Sequence, residues 1–188
     1  MRYISLDTET GGIGLDKSLL TLGMVLADDK LNEIDYFQLA IKPDNQVYQV
    51  TARGLEINKI NLVEHDKVAI TENAAKTALY NLLTQWSERG KIKLIPIGKQ
   101  IDGDINHIWN KLISRNTWEQ FVSYRRIEVS SIFLLMQSMG YVPADNKGSL
   151  ASIAEHYQMD TSMLHNALGD ARLTLLLYQK MVSDLSSL

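Results

Sequence analysis

Arg2-Tyr-Ile-Ser-Leu-Asp-Thr-Glu-Thr-Gly-Gly12 is the stretch on which the reading of this chain turns. Arg2 to Asp7 alternate and carry β formers, which predicts a strand ending at an acid. Residues two apart in a strand share a side, so Asp7 and Glu9 would face one direction together. Two carboxylates held that close repel, and a divalent cation with oxygen ligands relieves the repulsion. A lone D-x-E is more often a solvated acidic turn, by about ten to one, because the pattern is short. Gly11 and Gly12 add to the signal, since backbone without side chains lets a substrate chain approach. By themselves two glycines are only a loop.

Outward from this stretch, Leu20–Ala27 predicts a second strand. A turn at Asp28-Asp29-Lys30 leads to a third, Ile34–Ile41, closed by Pro43, so the first three strands should form an antiparallel meander. Thr51–Asn58 reads as a short helix. A long helix is expected over Thr71–Glu88, capped by Thr71 or Asn73 and ended by Gly90, with Ala75, Leu79, Leu82, Leu83 and Trp86 as its stripe. Lys93–Ile97 predicts a strand whose Pro96 points to an irregular or edge position. A helix carrying Ile105, Ile108, Trp109 and Leu112 follows, then a last strand at Arg125–Val129. The remainder reads as helices over Ser130–Met139, Ser149–Tyr157 and Ala167–Val182. Strands first, then strands alternating with helices, predict an α/β domain with a mixed sheet and helices on its faces. No linker, repeat or biased segment interrupts residues 1–188, so one domain is expected.

Composition is ordinary for a globular chain of 188 residues, with 45% apolar and 22% charged residues. There is no cysteine, which excludes disulfides and thiolate metal sites. Arg2 is the only early positive charge, and Asp7 and Glu9 fall where a signal peptide would need its apolar core. The longest apolar stretch, Leu19–Ala27, is too short to span a bilayer. The expectation is a soluble, cytoplasmic protein with no membrane partner. A net charge of −3 argues against a broad phosphate-binding face. An enzyme that grips only a chain end needs few phosphate contacts, however, and bound cations reverse the sign of an acidic site.

His165-Asn-Ala-Leu-Gly-Asp170 is the second cluster. Asp170 opens a helix whose buried stripe is Leu173, Leu176, Leu177 and Met181, where an acid is about as often a dipole-complementing residue as a functional one. His165 lies in the loop before it, at a fixed distance that would set a base beside a metal. His65, His107 and His156 show no such pairing and read as ordinary histidines.

Taken together, D-x-E on a first strand, an acid after a middle strand, and H-x-A-x-x-D opening the last helix resemble the DEDDh exonucleases. These are the proofreading and oligoribonuclease-type members of the ribonuclease H-like superfamily. Asp7-Thr-Glu-Thr-Gly11 resembles the first motif of that family and His165-Asn-Ala-Leu-Gly-Asp-Ala171 the third. Ser149–Tyr157 is similar to the helix that precedes it, and Asn166 stands where the tyrosine-type subfamily has Tyr. The middle motif departs: Gly98-Lys-Gln-Ile-Asp-Gly-Asp104 keeps the length, but Lys99, Gln100 and Gly103 replace the usual His, Asn and Phe. Asp104 is the preferred acid because it keeps Gly98 in place and opens the next helix; a two-residue shift would nominate Asp102.

The resemblance implies a metal-dependent 3′→5′ exonuclease acting on single-stranded DNA or RNA and releasing nucleoside 5′-monophosphates. Asp7, Glu9 and Asp170 would hold one ion, and Asp7 with Asp104 a second. Hard oxygen ligands favour Mg²⁺ or Mn²⁺ over Zn²⁺. His165 would be the general base. Thr10, Gly11 and Gly12 would contact the terminal nucleotide, while Arg125, Arg126 and Lys147 offer charges to phosphates. Homodimers are common in the family, though no feature of this chain demands one. Two other readings remain open: a nucleic-acid-binding module of the same fold without activity, and a metal-dependent phosphohydrolase of small nucleotides.

Overall fold

A computed structural model describes residues 1–162 and 164–186. Its centre is a six-stranded sheet in the order β4-β3-β2-β1-β5-β6. β1 (Arg2–Thr10), β2 (Leu19–Ala27) and β3 (Glu33–Lys42) form the expected antiparallel meander. β5 (Leu94–Gly98) joins β1 in parallel, and two-residue strands β4 (Ile70–Thr71) and β6 (Ile127–Glu128) pair parallel to β3 and β5. The mixed, helix-flanked sheet expected from the sequence is the architecture found.

Strand alternation sorts the side chains of β1 and β2 into two cores. Ile4, Leu6, Leu22, Met24 and Leu26 pack beneath α3 (Glu72–Trp86), α4 (Ile101–Lys111) and α5 (Arg115–Trp118). Tyr3, Val25 and Ala27 face α6 (Val129–Ser138), α7 (Leu150–His156) and α8 (Ala167–Ser186). Each core removes a dozen or more large apolar side chains from water, which is what a chain of this size needs.

Three differences from the sequence reading have physical causes. β1 does not stop at Asp7; it pairs with β2 through Thr10, with a register shift between Glu9 and Thr10. Pro96 is buried within the sheet, not at its edge. Leu94 donates to and accepts from the 121–123 segment, so by alternation Pro96 turns its missing N–H the same way. There the ladder is broken, because β6 begins only opposite Ile97. Finally, α2 (Leu62–Val68) and α5 carry short or polar sequences with no apolar stripe. Asn61 Oδ1 accepts from the N–H groups of Val63 and Glu64, and Ser114 Oγ from that of Thr117, so caps define both helices. α1 (Ala52–Asn58) is capped by Thr51 in the same way. Among the described residues no helix is long and apolar enough to cross a membrane.

Candidate active site

The period of two that builds the cores also builds the site. Asp7 and Glu9 share the face of Tyr3 and Ser5, toward α8, while Thr8 projects to the opposite face, toward α4. On the α8 side, Asp7, Glu9 and Asp170 each bring a carboxylate oxygen to within 4.8 Å of the others. This convergence depends on Gly23, which pairs with Asp7 across β1 and β2. A Cβ on Gly23 would lie 2.3 Å from the carbonyl carbon of Ala167 and 2.3 Å from the amide of Leu168. Only glycine lets the first turn of α8 sit so close to the sheet. A buried hydrogen bond from Ser5 Oγ to the Ala171 carbonyl, 2.7 Å, ties the two elements together.

Asn166 orders the start of α8: its Oδ1 accepts from Gly169 N–H at 3.1 Å, the capping geometry for which asparagine is suited. His165, just before it, is exposed and has φ 68, in the left-handed region. Its backbone N–H donates to Asp170 Oδ2 at 3.2 Å. The other oxygen, Oδ1, is closed off from solvent and has no hydrogen-bond partner among the described residues. A buried carboxylate oxygen without a donor, on an acid that meets two further carboxylates, fits a position a cation would fill.

On the α4 side, Asp104 Oδ1 accepts from the Thr8 N–H at 3.0 Å and from the Thr8 hydroxyl at 2.6 Å. Asp104 shares its cavity with Asp7 and Glu9. Asp102 lines the same cavity but is exposed and ion-paired with Arg126, whereas Asp104 is the more buried and accepts from Thr8. Glu128 stabilises α4 from β6. One of its oxygens accepts from Ile101 N–H at 3.1 Å, and the other caps α6 through Ser130 N–H at 3.0 Å.

The acids resist ionisation together. Burial, then Asp104, Asp170 and Glu9, push Asp7 well above the usual carboxylate range, and Lys99 pulls it partly back. Glu9 is pushed up to about 7 by burial and by Asp170 and Asp104. Asp104 also reaches about 7 through burial, although the Thr8 hydrogen bonds oppose the rise. Asp170 is raised by burial against the opposing His165 N–H. Such a set holds a divalent cation well, because the cation removes the repulsion that keeps the protons on.

Asp7, Thr8, Glu9 and Asp104 open into a cavity of about 1090 Å³. Thr10 and Gly12 line it, with the Thr10 hydroxyl donating to the Gly12 carbonyl at 3.0 Å. Gly11 lies beneath instead: its N–H donates to the Ser18 carbonyl, its carbonyl accepts from Thr51 N–H, and a Cβ on Gly54 would meet its oxygen at 2.4 Å. Ile13, fully exposed, with Leu15 and Ile57 forms an apolar rim. Arg125 and Lys147 are exposed and do not line the cavity.

Sequence reasoning passed over four residues here: Thr8, Lys99, His107 and Glu128 all line the cavity. His107 is buried, its Nδ1 has no partner among the described residues, and burial lowers its pKa. Thr8 was legible in principle, since it sits between two acids whose opposite strand face had to meet something.

No family model matches this chain, and no curated protein is similar enough in sequence to match. Solved structures do match. E. coli exonuclease I with a dT13 oligonucleotide superposes with a TM-score of 0.71 at 15% identity, over 95% of this chain and 40% of that one. Exonuclease I from Methylocaldum szegediense, moderately thermophilic, gives 0.71 at 18% identity, over 97% and 40%. A zinc-bound complex of E. coli exonuclease I with single-stranded DNA gives 0.72 at 15%, over 99% and 43%. The chain shares its fold with exonuclease I. It spans about two fifths of the length of the exonuclease I chains it matches. The likeness covers nearly all of this chain and concerns the fold alone.

Proposed function

We propose that residues 1–188 form one metal-dependent 3′→5′ exonuclease domain. It would hydrolyse the phosphodiester at the 3′ end of single-stranded DNA or RNA and release nucleoside 5′-monophosphates. The observation that carries this reading is the convergence of the carboxylates of Asp7, Glu9 and Asp170. The fold shared with exonuclease I, whose structures hold oligonucleotides, supports it.

Asp7, Glu9 and Asp170 would hold one divalent cation, Mg²⁺ or Mn²⁺, and Asp7 with Asp104 a second. Two such ions supply charge stabilisation to the attacking and leaving oxygens of an in-line displacement. The chain's own residues do the rest. His165, exposed at the turn before α8, takes the proton of the attacking water; an imidazole suits that task near neutral pH. Thr8 fixes the rotamer of Asp104. Thr10 and the backbone at Gly12 border the place where the terminal nucleotide would lie, with Gly11 shaping the turn from below. The rim of Ile13, Leu15 and Ile57 offers a nucleobase an apolar surface at the cavity mouth.

The test uses 5′-labelled DNA and RNA oligonucleotides with Mg²⁺, Mn²⁺ or EDTA, beside Asp7→Ala. A ladder shortening from the 3′ end, absent with EDTA and in the variant, is expected, and it names the preferred sugar. No degradation of either polymer in either metal would sink the proposal and favour a binding module, for which the altered middle motif at Lys99, Gln100 and Gly103 speaks. His165→Ala should lower the rate by about 10² to 10⁴ while keeping the Mg²⁺-induced rise in melting temperature. Wild-type turnover in that variant would remove His165 from its role as base.

A further inference from the structure

Lys99 is no part of the apolar core, and it acts on the carboxylate set through its charge alone, which lowers the pKa of Asp7. The β1–β5 ladder runs in parallel register from Arg2 opposite Leu94 to Ser5 opposite Ile97. Lys99 follows the end of β5 directly, and its charge acts on Asp7. Lys99 is half-buried and lines the cavity with Asp7, Glu9 and Asp104. Among the described residues its ammonium makes no hydrogen bond and no ion pair, although acids surround it. Gln100 follows with φ 56, a left-handed turn that swings the chain into α4 and leaves Lys99 at the mouth of the strand. Arg53, the other basic residue on the cavity wall, is paired with Glu56 at 2.8 Å.

Resting on the exonuclease reading, we propose that Lys99 contacts a non-bridging oxygen of the 3′-terminal phosphodiester, the bond to be cut. A phosphate entering this cavity approaches Asp7, Glu9, Asp104 and Glu128, and a free ammonium between them is the group that admits it. An ammonium serves as a point charge that needs no fixed angle, which suits a phosphate moving through an in-line displacement. Because Lys99 is unpaired, it is available to substrate without first breaking a protein contact.

The experiment compares wild type, Lys99→Met and Lys99→Arg with Mg²⁺, measuring kcat/KM on single-stranded oligonucleotides over a range of salt. It adds the inhibition constant of an oligonucleotide whose 3′-terminal linkage is a neutral methylphosphonate. Lys99→Met should lose about tenfold in kcat/KM, the worth of one charge-assisted hydrogen bond. Its salt slope should be shallower by about 0.7, that of one phosphate contact on a single strand. Lys99→Arg should recover most of both. The neutral competitor should inhibit wild type and Lys99→Met equally. Melting temperatures with and without Mg²⁺ separate a contact from a structural role, which would move them and leave the salt slope alone. An unchanged salt slope in Lys99→Met, or a neutral competitor weakened as much as substrate, overturns the contact and leaves the exonuclease standing. No 3′-end degradation by wild type overturns the exonuclease reading, and the Lys99 contact with it.

Discussion

The two halves of the carboxylate site are built by different means. The α8 half, with Asp7, Glu9 and Asp170, is set by packing: strand register, the close approach that Gly23 permits, and a helix buried along Leu173, Leu177 and Met181. The α4 half, with Asp104 and Lys99, sits where β5 runs out, and hydrogen bonds hold it: Thr8 donates to Asp104, and Glu128 accepts from the Ile101 N–H. Packing is shared over many atoms and changes little with pH. A hydrogen-bonded tether depends on single groups, so the α4 half should be the adjustable one.

The sharpest way to break this contrast is Gly23→Ala, which strikes the packed half. The new methyl must displace the backbone at Ala167 and Leu168, so a loss of at least about 2 kcal/mol in chemical denaturation is expected. The Mg²⁺-induced rise in melting temperature should vanish with it. A variant that kept wild-type stability and metal response would show that α8 is free to shift.

The second test is pH dependence without metal. The folded-state pKa values of Asp7, Glu9, Asp104 and Asp170 are raised, so the folded protein holds protons that the unfolded chain has already released. Their contribution is therefore lost as pH rises from the unfolded carboxylate range, about 4, through about 7. His107 acts in the opposite sense, because its lowered pKa destabilises the folded state as pH falls below its ordinary value. Glu9→Gln isolates the acids. It should melt above wild type at pH 8, and the gap should close by pH 5. Saturating Mg²⁺ should raise the wild-type melting temperature more at pH 8 than at pH 5.5. A gap that widened toward acid would mean that the acids are not stabilised in their protonated form.

Thr8→Val tests the tether alone. One donor to Asp104 disappears and the backbone N–H remains, so about 1 kcal/mol of stability should go. Because the Thr8 bonds hold the Asp104 pKa down, the acid limb of the pH–rate profile should move to higher pH. Glu128→Gln is the smallest change, about 0.5 kcal/mol from two helix starts that lose a negative cap. Glu128 raises Asp104, so here the acid limb should move to lower pH. Shifts in the same direction for both variants would contradict separate electrostatic control of Asp104.

Much of this molecule was legible before any coordinates. Alternation in Arg2–Asp7, the meander, the stripe of α3 and the spacing of His165 and Asp170 follow from local periodicity, which acts over a few residues. The elements missed are α2 and α5, fixed by caps, and the two-residue β4; of the two positions offered for Pro96, the irregular one holds, because a gap in the neighbouring strand tolerates it. Asp104 over Asp102 could be preferred from motif length, but only Thr8 on one side and Arg126 on the other show which acid turns inward.

By itself the sequence determined which residues could do chemistry and which face of each element they share, because strand and helix periods are properties of the local chain. It also determined the mixed sheet, since patterned strands and helices have few ways to bury their apolar faces. What only tertiary structure decided is distance. Residues 7, 9 and 170 meet because Gly23 admits a helix, Thr8 holds Asp104 by its hydroxyl and N–H, and the chain leaving β5 brings Lys99 to the same cavity. Each of these is a contact between segments far apart in the chain, and local pattern carries no record of how closely such segments approach.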